Sequence, residues 1–183
     1  MPLAFLLPRD VTLFSVRCKE PDRHRRPILG ERFAETNRRS AGPVYHFFSA
    51  LRGGPLTAIF KTAVPYAGDA MSLPVRNLEE ALPFYETVMG FRILSREEAA
   101  GKSAVLGRDA IQIGLAENGG DPTQNGCFFE VDNVEAAFTE LKARGLNKED
   151  AGYRIDRHGQ TSWRVFFVVA PDGLCYCLGQ RQV

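Results

Sequence analysis

The chain has 183 residues, of which 44% are hydrophobic and 25% charged, with a formal net charge of +1. That supports one ordinary domain with its own core and excludes two large ones. It also excludes a wholly disordered chain, and no apolar run approaches the roughly 20 residues of a membrane span.

The near-neutral total averages two unlike segments. Residues 1–66 hold 11 Lys and Arg against five acids (Asp10, Glu20, Asp22, Glu31 and Glu35), a net of +6. Residues 67–183 hold 12 basic and 17 acidic residues, a net of −5. The first segment shows no sustained helical or alternating period, and Pro21, Pro27 and Gly30 punctuate its Arg-rich stretch. Residues 1–66 are therefore expected to be a basic, disordered or non-native extension, with Met71 a candidate for the true start. An organellar targeting peptide is disfavoured by the interspersed acids, and Arg clusters alone do not make a nucleic-acid partner. The cysteines, Cys18, Cys127, Cys175 and Cys177, form no C-x-x-C pair and no disulfide framework, which fits a cytoplasmic protein.

From residue 69 the patterning is regular. Met71 to Val75 reads as a short strand. Asn77 caps a helix through Met89, with Glu79 and Glu80 in its first turn, Leu78, Leu82, Tyr85 and Met89 on one face, and Gly90 at its end. Pro83 lies inside it and should loosen it. Three strands follow at Phe91–Ser95, Ser103–Leu106 and Ala110–Leu115. The order then repeats: a strand at Cys127–Val131, a helix capped by Asn133 and ended by Gly145, with Val134, Ala137, Phe138 and Leu141 on one face, and strands at Tyr153–Asp156, Trp163–Val169 and Leu174–Leu178. Val75, Asn77, Glu79 and Ala81 match Val131, Asn133, Glu135 and Ala137 in residue type at a fixed offset, so the chain is an internal repeat. Two βαβββ units side by side predict an α+β fold: a curved mixed sheet around a hollow, helices outside.

The run Val75-Arg76-Asn77-Leu78-Glu79-Glu80-Ala81-Leu82-Pro83-Phe84-Tyr85-Glu86, with Met89-Gly90-Phe91 after it, resembles the opening of vicinal-oxygen-chelate proteins. That superfamily holds glyoxalase I, bleomycin-resistance proteins and extradiol dioxygenases. Ala170-Pro171-Asp172-Gly173 resembles its Asp-Pro-Asp-Gly turn, with Ala170 in place of the first Asp, and Phe128 to Val134 also fits. The resemblance covers about residues 69–180. It implies four inward metal-ligand positions, which fall on Ala70, Gln112, Gly126 and Cys177. Two of these have no side-chain donor, so no metal, cofactor or catalytic residue is expected, and the similarity is to the metal-free bleomycin-resistance branch. That branch implies a homodimer that binds small molecules.

Strand alternation in the same register turns Ser72, Gln112, Gly126, Phe128, Glu130, Trp163, Val165, Phe167, Cys175 and Cys177 toward the hollow. Cys127, Phe129, Phe166 and Val168 turn toward the helices. The candidate ligand-binding residues are Ser72, Gln112, Phe128, Glu130, Trp163, Phe167 and Cys177. Trp163 can stack on a planar or cationic ligand, and Glu130 can pair with its cation. Against this, the aromatics can be plain core, Glu130 can pair with Arg154 or Arg164, and His158 reads as a solvated loop residue. The expected function is binding or sequestration of an aromatic or cationic small molecule. The alternatives are an enzyme with an atypical metal site or with Glu130 as general base, and a structural or regulatory dimer with a filled hollow.

Overall fold

The computed structural model describes residues 57–98 and 101–182. Nine strands and two helices follow in order: β1 (Phe60–Pro65), β2 (Leu73–Pro74), α1 (Leu78–Thr87), β3 (Arg92–Glu97), β4 (Ser103–Arg108), β5 (Ile111–Ala116), β6 (Gly126–Val131), α2 (Val134–Ala143), β7 (Arg154–His158), β8 (Thr161–Val169) and β9 (Cys175–Gln182). The α+β class and the repeated βαβββ order hold. Each repeat closes its own mixed sheet, β2-β5-β4-β3 and β6-β9-β8-β7, with the first and last strands of each unit parallel. β1 adds a fifth strand to the second sheet, antiparallel to β6.

The repeat is visible atom by atom at the helix starts. The Asn77 side-chain oxygen accepts from the N–H groups of Glu79 and Glu80 at 3.1 and 3.3 Å. The Asn133 oxygen accepts from Glu135 and Ala136 at 3.1 and 2.9 Å. A second device is shared as well. The Leu78 N–H donates to Glu117 at 2.8 Å, and the matching Val134 N–H to Gln180 at 3.2 Å. Both helices therefore have first-turn donors satisfied from the sheet side. α1 runs through exposed Pro83, losing one backbone donor there, and ends with the Phe91 N–H on the Tyr85 carbonyl (2.9 Å) around Gly90 at φ +72.

One core joins both units. Tyr85 of α1, Phe60, Phe91 and Leu106 are buried with Phe129, Phe166, Tyr176 and Leu178 of the second sheet. A polar chain crosses it: the Tyr176 hydroxyl donates to Tyr85, which donates to Asp172, both at 2.9 Å. Asp172 belongs to the motif turn before β9, so that turn is tied to the first helix. Burial holds its carboxyl above the usual carboxylate range.

The segment 1–66 needs a correction at its end. Residues 1–56 lie outside the described residues, but Ala58 and Phe60 are fully part of the core. Arg108, at the end of β4, explains why. Its guanidinium pairs with buried Glu140 of α2 at 2.7 Å, bonds the Ala58 and Met89 carbonyls, and lies 4.0 Å from the centre of the Phe60 ring. The Ala58 N–H donates to Glu140 and the Phe60 N–H to Asp109, at 3.2 and 2.9 Å. A buried ion pair survives only when its remaining polar capacity is satisfied, and here the chain at 58–60 does so. A start at Met71 would delete that part of the core, so the folded unit begins before Phe60. Among the described residues, no helix is long and apolar enough to cross a membrane.

Candidate functional site

The two faces of the five-stranded sheet carry different clusters. Cys127, Phe129, Phe166 and Val168 join the main core on the helix side, and Phe128, Val165 and Cys177 form a second cluster on the other face. Val64, Tyr66, Trp163 and Phe167 pack against this second cluster. This is the split that strand alternation requires.

Strand register arranges that face in rows, with neighbouring strands about 4.8 Å apart. One row is Phe167, Cys177, Phe128 and Val64. The next is Arg154, Val165, Gly179, Glu130 and Thr62. A third places Trp163 between Asp156 and Arg181. The rows interlock because Gly179 has no side chain. A Cβ there would stand 2.5 Å from the Phe128 ring, which occupies that space and meets Trp163 edge-on with ring centres 5.1 Å apart. The result is an aromatic platform with half-buried Trp163 and Phe167 on its surface.

Charge is distributed unevenly around the platform. Arg154 lies 4.4 Å from the centre of the Phe167 ring and pairs with Asp156 at 2.9 Å. Arg164 pairs with Glu135 at 2.6 Å. The two arginines considered for Glu130 are thus engaged elsewhere. The carboxylate of half-buried Glu130 has no ion pair or side-chain hydrogen bond among the described residues. Cys177 is fully buried, and burial pushes its thiol up to about 12. It is a neutral wall group at physiological pH, not a thiolate.

Of the seven candidates, Phe128, Trp163, Phe167 and Cys177 come together, with Glu130 beside them. Ser72 and Gln112 do not. Both are exposed and belong to the other sheet's side of the molecule. Ser72 is not on a strand at all: Ala70–Ser72 form a 3-10 turn capped by Asp69, and the Ser72 hydroxyl and carbonyl accept from Asn118. The turn presses the Met71 carbonyl onto Gly114, where a Cβ would stand 2.0 Å away. His158 is likewise not a loop residue. It ends β7, half-buried, opposite Thr161.

Sequence reasoning missed Val64 and Tyr66, both in the segment set aside as extension. Their signal was weak for a physical reason. A bulge between Phe60 and Thr62 puts Phe60 and Ala63 on the core face and Thr62 and Val64 on the other, which breaks simple alternation.

The family's metal positions do not fit a divalent ion here. Ala70 and Gly126 offer no side-chain donor and Gln112 is exposed on the other sheet, which leaves Cys177 as a lone soft donor. Among the described residues, no three His, Cys, Asp or Glu side chains converge as a metal-binding group.

The family model of the Glyoxalase/Bleomycin resistance protein/Dioxygenase superfamily matches residues 68–173. The chain belongs to that superfamily. Similar solved structures include a bleomycin resistance determinant encoded on the transposon Tn5, 24% identical, covering 64% of this chain and 99% of that one, with a TM-score of 0.46. A virulence protein from Salmonella typhimurium is 20% identical, covering 60% and 91%, with a TM-score of 0.46. An antibiotic binding protein from a Streptomyces species, TnmS3, is 20% identical, covering 63% and 98%, with a TM-score of 0.44. None of the curated proteins compared matches the sequence.

Proposed function

We propose that the platform on the second sheet binds a planar, aromatic, cationic small molecule, without metal chemistry and without a covalent step. The observation that carries this reading is the pairing of an aromatic surface, built from Phe128, Trp163 and Phe167, with an adjacent carboxylate, Glu130, that no described cation neutralises. A half-buried carboxylate beside π faces attracts a flat cation by charge and by ring quadrupole together. The site has no thiolate and no metal-binding group among the described residues to drive chemistry. The reading includes a homodimer working in the cytoplasm. Exposed Leu94 on β3 and Ile155 on β7, each on the outer strand of its sheet, offer apolar contacts to a second copy. Sedimentation of the full chain tests the dimer.

Trp163 is the chain's only tryptophan. Its fluorescence therefore reports the platform directly. Titration with proflavine, a flat cation, should quench it saturably. Glu130→Gln should weaken proflavine about fivefold, the value of one partly screened ion pair, and leave neutral acridone unchanged. Absence of saturable quenching by either compound would remove the binding reading. Equal effects of Glu130→Gln on both would remove its cationic part.

A further inference from the structure

We infer that Arg154 occupies a second cation subsite on the platform, made by the Phe167 ring and the Asp156 carboxylate, and that a ligand bearing a planar amidinium or guanidinium displaces it. The inference rests on the reading of the platform as a binding site and adds to it a position, a competing residue and a class of cation.

Arg154 and Asp156 stand two residues apart on β7, so strand alternation turns both to the platform face. Register sets Arg154 opposite Val165 and Asp156 opposite Trp163. The guanidinium is held on two sides. Its Nε and Nη2 donate to the two Asp156 oxygens at 2.9 and 3.0 Å, a forked pair, and its carbon lies 4.4 Å from the centre of the Phe167 ring. Both charges reach the cluster beneath: beyond the effect of burial, Asp156 raises the pKa of the Cys177 thiol and Arg154 lowers it.

The two partners differ in how freely they can exchange. The Arg154 side chain is 53% exposed and the Asp156 side chain 18%. Arg154 is the first residue of β7, the outer strand of its sheet, so its guanidinium can swing to water without breaking the ladder. An open cation–π contact and an open ion pair are each weak, which leaves the side chain displaceable. The Asp156 carboxylate is largely covered, and a covered carboxylate without a partner is costly.

The vacated position is thus a forked acceptor beside a ring face, and its complement is another flat cation with two parallel N–H groups. Glu130 does not compete for it. The row Arg154, Val165, Gly179, Glu130 spans three strand spacings, about 14 Å, so the two carboxylates serve separate positions.

Arg154→Ala in the full chain tests this with naphthamidine, a flat cation, and naphthamide, its neutral isostere, read by Trp163 quenching and by thermal shift. Naphthamidine affinity should rise about five- to tenfold once the competing side chain is gone, and naphthamide affinity should change by less than about twofold. The double variant Arg154→Ala/Asp156→Asn, which removes both charges together, should cancel the gain. Unchanged or lower naphthamidine affinity in Arg154→Ala would overturn the inference. So would an equal gain for naphthamide, or a gain that survives in the double variant. Each of these results leaves the platform standing, because that reading is decided by proflavine quenching of the wild type. If proflavine does not quench, the platform reading fails and takes this inference with it.

Discussion

Phe60→Ala tests whether the chain before residue 66 belongs to the fold. The ring is 0% exposed and packs on Phe91 and Phe129 with centres 6.3 and 5.6 Å away, beneath the Arg108 guanidinium. Removing a buried phenylalanine costs about 3–5 kcal/mol through lost transfer energy and the cavity left behind. The guanidinium contact belongs to the upper part of that range, since a desolvated cation–π pair contributes roughly 1–2 kcal/mol. An unfolding entropy of about 2.1 cal/mol/K per residue over residues 57–182 gives roughly 0.26 kcal/mol/K, so a loss of about 4 kcal/mol lowers Tm by about 15 °C. The assay is thermal unfolding followed by circular dichroism. Ile59→Ala, one residue earlier and 53% exposed, is the internal control and should move Tm by no more than about 2 °C. Small, equal shifts for the two variants would refute the placement of β1 in the core.

Two further outcomes follow from the same contacts. The Asp172 carboxyl has a folded pKa raised by burial above its ordinary 3.8. The native state therefore holds the proton more tightly than the unfolded chain, and stability rises as pH falls through the raised value toward 3.8. Asp172→Asn should flatten that part of the stability–pH curve, read by urea unfolding. An unaltered slope would show that another group titrates there. Gly179→Ala inserts a Cβ into the Phe128 ring, so the ring must leave Trp163. The Trp163 emission spectrum should shift and proflavine affinity should fall, with α1 and α2 helicity retained. An unchanged spectrum would show that the two rings are not interlocked.

The parts of the fold that were legible in sequence share a cause: local chemistry repeated twice. Asn77 and Asn133 announce their helices because a side-chain oxygen at that position satisfies the same two backbone donors. The face assignment of β6, β8 and β9 was legible because their alternation is uninterrupted. Glu140 was not legible. On the helical wheel it is an ordinary charge, and only the long-range approach of Arg108 and Ala58 makes it a core residue. Ser72 failed for a similar reason: its strand reading assumed an extended chain, while the Asp69 cap and the contact of Met71 with Gly114 curl it into a turn.

The repeat also explains why only one of the two sheets carries a platform. In the first unit the opening strand is reduced to Leu73–Pro74, and the turn before it covers Gly114, so the face away from the core offers Gln112, Val105 and Leu94 but no aromatic ring. In the second unit the opening strand runs six residues, Gly126–Val131, and β1 pairs along it. That extra strand supplies Val64 and Tyr66 to the face that already holds Phe128, Trp163 and Phe167. The aromatic surface thus depends on a segment outside the repeat, held by an ion pair that bridges the two units. Loss of Arg108 should therefore weaken ligand binding through β1, although no atom of that guanidinium lies in the Phe128–Trp163 cluster.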